Sequence, residues 1–259
     1  MTMRVMTTAD DFGYSEDTVQ ATIECFEDGS LRNASIMANM TATQSAIEYA
    51  VLHPEHSFGV HLTFIGNAGE RPLLDPGQIP HLVDSQGVFL PGREVFVRAM
   101  LGQLPVDEIR REMHAQISLL RDHGVRLSYA DSHGHSHKLR PFIAALREVL
   151  PHFGIQRVRR GQNVWLTKPY RSPTFWVGGA WHPRVASYFT TTDKFFMPTS
   201  ISDAESLMEV LCEPSAGTLE IGVHPGFEEP WRDSERRALQ ALRAKLVDLG
   251  HAAIGWEEV

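Results

Sequence analysis

Short apolar segments alternate with amphipathic segments along most of the chain, and this alternation constrains the fold more than any other feature. Runs typical of β-strands occupy residues 4–9, 34–38, 58–64, 127–130, 156–158, 218–223 and 252–254. Patterns typical of helices occupy residues 15–29, 45–52, 106–122, 141–150, 203–211 and 234–249. Strands that alternate with helices form parallel sheets with right-handed crossovers. We therefore predict an α/β fold in which seven or eight strands form a (β/α) barrel. The barrel is expected to be TIM-barrel-like, complete or imperfect, and to form a single domain over residues 1–259.

The charge and the composition argue against several classes of partner. The formal net charge is −8, and 42% of the 259 residues are hydrophobic, which is ordinary for a globular protein. Nucleic acid or an anionic membrane surface would require a basic patch, so neither is expected to bind. No run of eighteen apolar residues and no signal peptide are found, so we predict a cytoplasmic protein without membrane insertion. Cys25 and Cys212 are interpreted as buried apolar residues rather than as a disulfide.

Two stretches interrupt the alternation of strands and helices. Residues 65–92 contain many Gly and Pro and are predicted to form a long loop, and such loops are usually lids or binding segments. Residues 161–200 contain the aromatic side chains Trp165, Tyr170, Phe175, Trp176, Trp181, Tyr188 and Phe189. These aromatics either stack on sugar rings or pack a satellite core, and the sequence leaves both readings open.

One segment places three imidazoles and a carboxylate at every second position. It runs from Asp131 to His137 and includes His133 and His135. In an extended segment alternate side chains fall on one face, so these groups are predicted to point to the same place. Imidazole is a common metal ligand, and Asp supplies a compensating charge. A metal site is therefore favoured over an exposed His-rich loop, although His135 and His137 could instead contact substrate or support the ligands.

Acidic and imidazole side chains also occur at the ends of other predicted strands. Asp10 and Asp11 follow the first strand, His61 lies in the third, and His224 follows the strand at 218–223. The carboxyl ends of parallel barrel strands converge on one face, where catalytic groups lie. Taken singly, each has a simpler interpretation: the Asp pair as turn residues, His61 as a core histidine, and His224 as a solvated loop residue. Their occurrence together favours a functional site.

Asp10 and Asp11 cannot both reach such a site from a straight strand, because adjacent side chains point to opposite faces. A bend near Gly13 would bring them together. One carboxylate could then bind a metal while its neighbour accepts a proton. The sequence pattern alone does not decide which carboxylate binds the metal and which accepts the proton.

This set of side chains predicts a hydrolytic site with one divalent ion. The ion would polarise a carbonyl and lower the pKa of a bound water. A carboxylate would accept a proton from that water, and a histidine such as His224 would donate one to the departing amine.

In these motifs the chain resembles the YdjC-like carbohydrate deacetylases, a group that includes chitooligosaccharide deacetylases and hopanoid-associated proteins. The matching segments, in order, are Thr8–Gly13, Gly59–Leu62, Arg71–Leu73 with Ile79-Pro80 and Leu82–Asp84, Asp131–His137, and His224-Pro225. Their order and spacing over the chain make the resemblance specific, whereas Asp-Asp-Phe-Gly alone would not be. The segment at 161–200 does not align with the family.

The resemblance implies a barrel-like fold and metal-dependent removal of an N-acetyl group. It implies that Asp11, His61 and His133 are the metal ligands. It further implies that Asp10 is the catalytic base and His224 the general acid. Asp131, His135 and His137 are left to support the ligands or contact substrate.

We therefore predict a metal-dependent hydrolase that removes acetate from an acetylated amino sugar, either a chitooligosaccharide or a sugar conjugate. The expected cofactor is one Mg²⁺ or Zn²⁺ ion, with Mn²⁺ or Co²⁺ as alternatives. A homodimer is compatible with the sequence. The rival interpretations are a non-catalytic glycan- or metal-binding protein and a metal-dependent phosphoesterase or amidohydrolase, although the latter two usually carry a His pair on the first strand.

Overall fold

A computed structural model describes residues 3–166, 184–198 and 217–259, together with the single positions 200, 206 and 209. The strands are β1 (Met3–Phe12), β2 (Asn33–Ile36), β3 (Ser57–Leu62), β4 (Leu127–Ser132), β5 (Lys194–Phe196), β6 (Gly217–Val223) and β7 (Ala252–Ala253). The longer helices are α1 (Glu16–Glu27), α2 (Thr43–Leu52), α3 (Gly92–Met100), α4 (Val106–Asp122), α5 (Arg140–Val149) and α6 (Pro230–Asp248). Short 3₁₀ turns lie at Pro76–Gln78, His133–Lys138, Leu150–Phe153 and Trp256–Glu258.

The strands form one parallel sheet in the order β4-β3-β2-β1-β6-β5, and β7 pairs with the beginning of β1. Single bridges beyond β4 join Ala130 to Val158 and Arg157 to Thr190. The predicted α/β fold is confirmed, with a curled parallel sheet. Because parallel strands end at the same edge, the residues that end β1, β3, β4 and β6 lie along one edge of this sheet.

The core lies on both faces of the sheet. Every residue of β2 and β3 is buried, as expected for parallel strands covered on both sides. Helix α4 buries Ile109, Met113, Ile117 and Leu120 completely, and these residues recur at the spacing of one helical face. Both the limits of α4 and its apolar face agree with the sequence prediction. Within the described residues, no helix combines the length and the apolarity needed to cross a bilayer.

Helix α1 begins directly after the end of β1 and is well capped. The Ser15 side chain accepts a hydrogen bond from the backbone of Thr18, and the Thr18 hydroxyl accepts one from the backbone of Ser15. Glu16 and Asp17 lie in the first turn, where the helix dipole favours acidic groups. The helix ends at Glu27, close to the predicted limit.

Several sequence predictions need correction or extension. β1 and β4 run to Phe12 and Ser132, so the acidic residues predicted to follow these strands belong to the strands themselves. Helix α3 and strand β5 were not predicted, and the predicted strand at 156–158 forms only isolated bridges. The predicted helix at 203–211 lies almost wholly outside the described residues.

Other predicted features can be located in part. Cys25 is buried with a free thiol, as predicted. Cys212 lies outside the described residues, as do Tyr170, Phe175, Trp176 and Trp181. Of the remaining aromatics, Phe189 packs against the core, whereas Tyr188 is exposed and lies beneath the guanidinium of Arg147.

Candidate metal centre at the carboxyl edge of the sheet

The end of β1 bends so that two adjacent carboxylates reach one site. Asp11 has a φ of 58°, in the left-handed region, and pairing with β2 shifts register between Ala9 and Phe12. This bulge places the side chains of Asp10 and Asp11 at the same edge of the sheet. The sequence suggested a bend near Gly13, which is also left-handed with a φ of 100°. The bend in fact begins at Asp11, because Asp tolerates the left-handed region better than most residues.

Three side chains from three segments converge beside this bend. Asp11 Oδ1 lies 2.9 Å from His133 Nδ1 and 3.3 Å from His61 Nε2. One ligand atom from each of the three residues lies within 4.8 Å of the other two, a spacing that could hold a metal ion. Asp11 and His61 are buried, whereas about a fifth of the His133 side chain is exposed. The site is therefore open to solvent on the side of His133.

Asp131 fixes the orientation of the His61 ring. Its Oδ1 lies 2.7 Å from His61 Nδ1, so His61 Nε2 is directed towards Asp11. Its Oδ2 accepts a hydrogen bond from Ser35 Oγ at 2.7 Å and forms an ion pair with Arg159 Nη1 at 2.8 Å. A carboxylate behind a histidine commonly orients a metal-binding ring in this way.

A second possible group consists of Asp10, His61 and Asp131, whose oxygen and nitrogen atoms also lie within 4.8 Å of one another. Arg159 Nη1 lies 2.6 Å from Asp10 and 2.8 Å from Asp131. A guanidinium therefore already fills the space between these two carboxylates. This favours the group of Asp11, His61 and His133 as the place for a metal ion.

The charges at the site favour a cation. Burial lowers the pKa of His61, but Asp131 and Asp11 outweigh it and raise that pKa to about 10. Burial raises the pKa of Asp131, but Arg159 and His61 lower it to about 2. A proton on His61 thus balances the carboxylates, and a divalent ion would supply that positive charge in its place. The residues present therefore fit a metal ion.

Asp10 has one oxygen held and one available. Its Oδ2 accepts a hydrogen bond from Arg159 at 2.6 Å. Its Oδ1 is buried and has no hydrogen-bond partner among the described residues. A carboxylate with an unpartnered oxygen beside a candidate metal centre is placed to act as a general base.

Glu220, on β6, completes the environment of Arg159. The Nε and Nη2 atoms of Arg159 each lie 2.8 Å from Glu220 Oε1. Burial raises the pKa of Glu220 to about 7, although Arg159 opposes this effect. The guanidinium is thus surrounded by three buried carboxylates, which fix its position.

His224 follows β6 and is oriented by a carboxylate on α6. Glu235 Oε2 accepts a hydrogen bond from the His224 backbone nitrogen at 2.7 Å and lies 3.1 Å from His224 Nδ1. Burial lowers the pKa of His224, but Glu235 outweighs it and the pKa is raised. With Nδ1 engaged by Glu235, Nε2 is the ring atom left to exchange a proton with a substrate.

Arg232, also on α6, holds the second oxygen of Asp11. Its Nη2 lies 2.8 Å from Asp11 Oδ2, and its Nε donates to Glu229 at 2.7 Å. The guanidinium also lies 4.4 Å from the Trp231 ring centroid and 5.4 Å from that of Tyr14. Asp11 Oδ1 is therefore left to the two histidines.

The alternation predicted for residues 131–137 is wrong beyond Ser132. The strand ends there and the chain turns, with Gly134 and His135 in the left-handed region. His133 therefore reaches Asp11, whereas His135 and His137 belong to neither group of potential ligands at this edge. Burial lowers the pKa of His137 to about 3 and that of His135 well below its usual value.

His135 and His137 remain near the site as uncharged rings. His137 Nδ1 lies 2.8 Å from Ser132 Oγ. His137 Nε2 and His135 Nδ1 are buried and have no hydrogen-bond partner among the described residues. Both atoms are thus available to a bound polar molecule.

Sequence reasoning missed four charged residues of the site. Arg159 directly follows the predicted strand at 156–158, and Glu220 lies inside the predicted strand at 218–223. A charged residue at or within a buried strand was the available signal for both. Arg232 and Glu235 lie in an otherwise ordinary polar helix, where nothing local distinguishes them.

Fold and site together define an α/β protein with a candidate metal centre at the carboxyl edge of a parallel sheet. The chain belongs to the family described as YdjC-like protein, whose sequence profile matches residues 4–249. The resemblance seen in the motifs is thereby confirmed.

Two relatives agree with this membership, and one solved structure shares the fold. A carbohydrate deacetylase of Thermoanaerobacter pseudethanolicus is 31% identical over 85% of this chain and 79% of its own length. A carbohydrate deacetylase of Geobacillus stearothermophilus is 31% identical over 80% of this chain and 77% of its own length. A crystal structure from Enterococcus faecalis, described as a candidate cellobiose-phosphate cleavage protein, superposes with a TM-score of 0.77. It covers 100% of this chain and 99% of its own at 22% identity, which supports the fold alone.

Proposed function

We propose that this chain is a metal-dependent carbohydrate deacetylase that hydrolyses the N-acetyl group of an amino sugar. The observation that carries the proposal is the convergence of Asp11, His61 and His133 within 4.8 Å, next to the free oxygen of Asp10. The hydrolase class and the sugar substrate are supported by the relatives, which are named carbohydrate deacetylases. The finer architecture is proposed to be an incomplete barrel, supported by the bridges beyond β4.

Asp11, His61 and His133 would hold one divalent ion. Two imidazoles and a carboxylate suit Zn²⁺, Co²⁺ or Mn²⁺, and Mg²⁺ is acceptable if water completes its shell. When bound, the ion polarises the amide carbonyl and lowers the pKa of water at the site. Asp131 and Arg232 keep the ligand atoms in place through their contacts with His61 and Asp11.

The remaining groups move protons. Asp10, oriented by Arg159, accepts a proton from the water that attacks the amide carbon. His224, whose protonated form Glu235 stabilises, donates a proton to the nitrogen as the C–N bond breaks. The products are acetate and a free amino sugar. A cytoplasmic location and a homodimer remain predictions from the sequence.

The proposal is tested by measuring acetate release from N,N′-diacetylchitobiose and a panel of N-acetylated sugars. Metal-stripped protein is compared with protein given Mg²⁺, Zn²⁺, Mn²⁺ or Co²⁺. We expect acetate release only in the samples to which metal has been restored. Tight glycan binding without acetate release would contradict the proposal and favour a binding protein, and phosphate release from simple esters would favour a phosphoesterase.

The role of Asp10 is tested separately with Asp10→Asn. The substitution should lower turnover by about 10²–10⁴-fold, the usual contribution of a general base, while metal content stays the same. Normal activity in this variant would contradict the assignment.

A further inference from the structure

A second group of ligand-type side chains lies far from the candidate metal centre. His53, Glu55 and His56 form the turn between α2 and β3. Glu55 Oε1 lies 3.0 Å from His53 Nδ1 and 3.9 Å from His56 Nε2. One atom of each residue lies within 4.8 Å of the other two. Because β3 starts at Ser57 and carries His61 near its far end, this turn lies at the opposite edge of the sheet.

The two imidazole rings of this turn are held by aromatic neighbours. The His53 ring stacks on Tyr49 with centroids 4.1 Å apart and planes inclined by 23°. The His56 ring stacks on Phe26 at 4.2 Å and 26°. Between them, Pro54 restricts the backbone of the turn. The ligand atoms are therefore partly arranged before any ion binds, which lowers the entropy lost on binding.

Two negatively charged features of this turn favour a cation and oppose the positive charge of Arg32, which acts on His56. The turn follows the last residue of α2, and the His53 backbone N–H bonds the Tyr49 carbonyl at 3.0 Å to close that helix. The carboxyl end of a helix carries partial negative charge. The Glu55 carboxylate adds a full charge, and 59% of its side chain is exposed, so an ion can enter from solvent.

We propose that His53, Glu55 and His56 form a second metal site, for a divalent ion of the Zn²⁺, Ni²⁺ or Cu²⁺ type. Two imidazoles and one carboxylate are the ligands such ions prefer, and water would complete the coordination. The bound ion would link the end of α2 to the beginning of β3. The proposal does not depend on the deacetylase reaction.

The experiment is a titration of metal-stripped, full-length protein with Zn²⁺, followed by measurement of bound metal per chain. The wild type is expected to bind two ions, and His53→Gln together with Glu55→Gln is expected to leave one. The second binding event should weaken by at least about tenfold in His53→Gln alone, since even the loss of supporting contacts at metal sites costs that much. Acetate release should stay unchanged in these variants.

His152→Gln is the matched control, because His152 is an exposed histidine that belongs to none of the ligand groups within the described residues. It should bind two ions like the wild type. A bound-metal count that is the same in the wild type and in the His53→Gln, Glu55→Gln double variant would overturn the proposal. So would equal loss of the second ion in His152→Gln and His53→Gln, which would indicate adventitious binding by surface histidines. Circular dichroism of each variant separates lost binding from lost folding.

Discussion

Arg159 is the residue on which the buried charges of the site depend. Its guanidinium contacts Asp10, Asp131 and Glu220, and all four side chains are almost completely buried. A buried charge that loses its ion-pair partner is not stabilised by water. Loss of Arg159 should therefore lower both the stability of the fold and the rate of the reaction.

Arg159→Met should therefore lower the free energy of unfolding by about 3–5 kcal/mol and abolish acetate release. Urea unfolding and an activity assay measure the two effects. Arg121→Met is the control, because Arg121 is exposed at the end of α4, and it should change stability by less than about 0.5 kcal/mol. Equal stability of the two variants would contradict the structural role of Arg159.

The contact between Glu235 and His224 should set the pH range over which His224 can donate a proton. A general acid is active only while it is protonated, so its contribution to the rate falls as the pH rises through its pKa. Glu235 raises the pKa of His224 against the effect of burial. Glu235→Gln should lower that pKa, so the alkaline limb of the rate–pH profile should move to lower pH.

The pH profile of acetate release measures this shift. Glu228→Gln removes an exposed carboxylate from the preceding loop and should leave the alkaline limb in place. An unchanged limb in Glu235→Gln would mean that His224 is not the acid, or that Glu235 does not set its pKa.

Among the elements of the fold, helix α4 supports the long loop between β3 and α3. The buried Glu112 side chain accepts hydrogen bonds at 3.0 Å from the backbone nitrogens of Leu73 and Leu74. Glu108 accepts one at 2.9 Å from the backbone nitrogen of His81. The loop is therefore attached to a helix and is not a free lid along these residues.

Glu112→Ala should release part of this loop. Each hydrogen bond to a charged group contributes about 1.5–3 kcal/mol, so stability should fall and limited proteolysis should cut within residues 65–92. Asp122→Ala, at an exposed position of the same helix, should give the wild-type cleavage pattern. Identical patterns for both variants would show that Glu112 does not hold the loop.

At the scale of the whole molecule, folding gathers more negative than positive charge at one edge of the sheet. The buried guanidinium groups of Arg159 and Arg232 contact four buried carboxylates there, those of Asp10, Asp11, Asp131 and Glu220. Before any imidazole or carboxyl group takes up a proton, the formal balance is −2. A divalent ion would neutralise it, so metal binding and folding should be coupled.

Removal of metal should therefore lower the thermal midpoint. At a metal concentration 100-fold above its dissociation constant, binding stabilises the folded state by about 2.7 kcal/mol. Thermal unfolding of stripped and reloaded protein measures the effect, and repeating it in His53→Gln removes the contribution of the second proposed site. A midpoint that does not respond to metal in either protein would contradict this coupling.

Much of the fold was predictable because it follows from local pattern. The 3.6-residue spacing of apolar residues predicted the limits of α4, and Ser15 with Glu16 and Asp17 predicted the start of α1. Helix α3 and the short β5 were missed, since α3 begins at a glycine inside a loop-like stretch and β5 has only three residues. Short elements owe their conformation to neighbours rather than to propensity.

The sequence by itself determined the parallel α/β class and the residue types that gather at the strand ends, because strand and helix periodicity and the polarity of parallel strands are local properties. Only the tertiary structure decided that Asp11 bends towards His61 and His133, that His135 and His137 turn away, and that Arg159 and Arg232 hold the two aspartates. Those contacts join residues up to 221 positions apart. Burial and charge balance in the folded interior set them, and no local pattern encodes either.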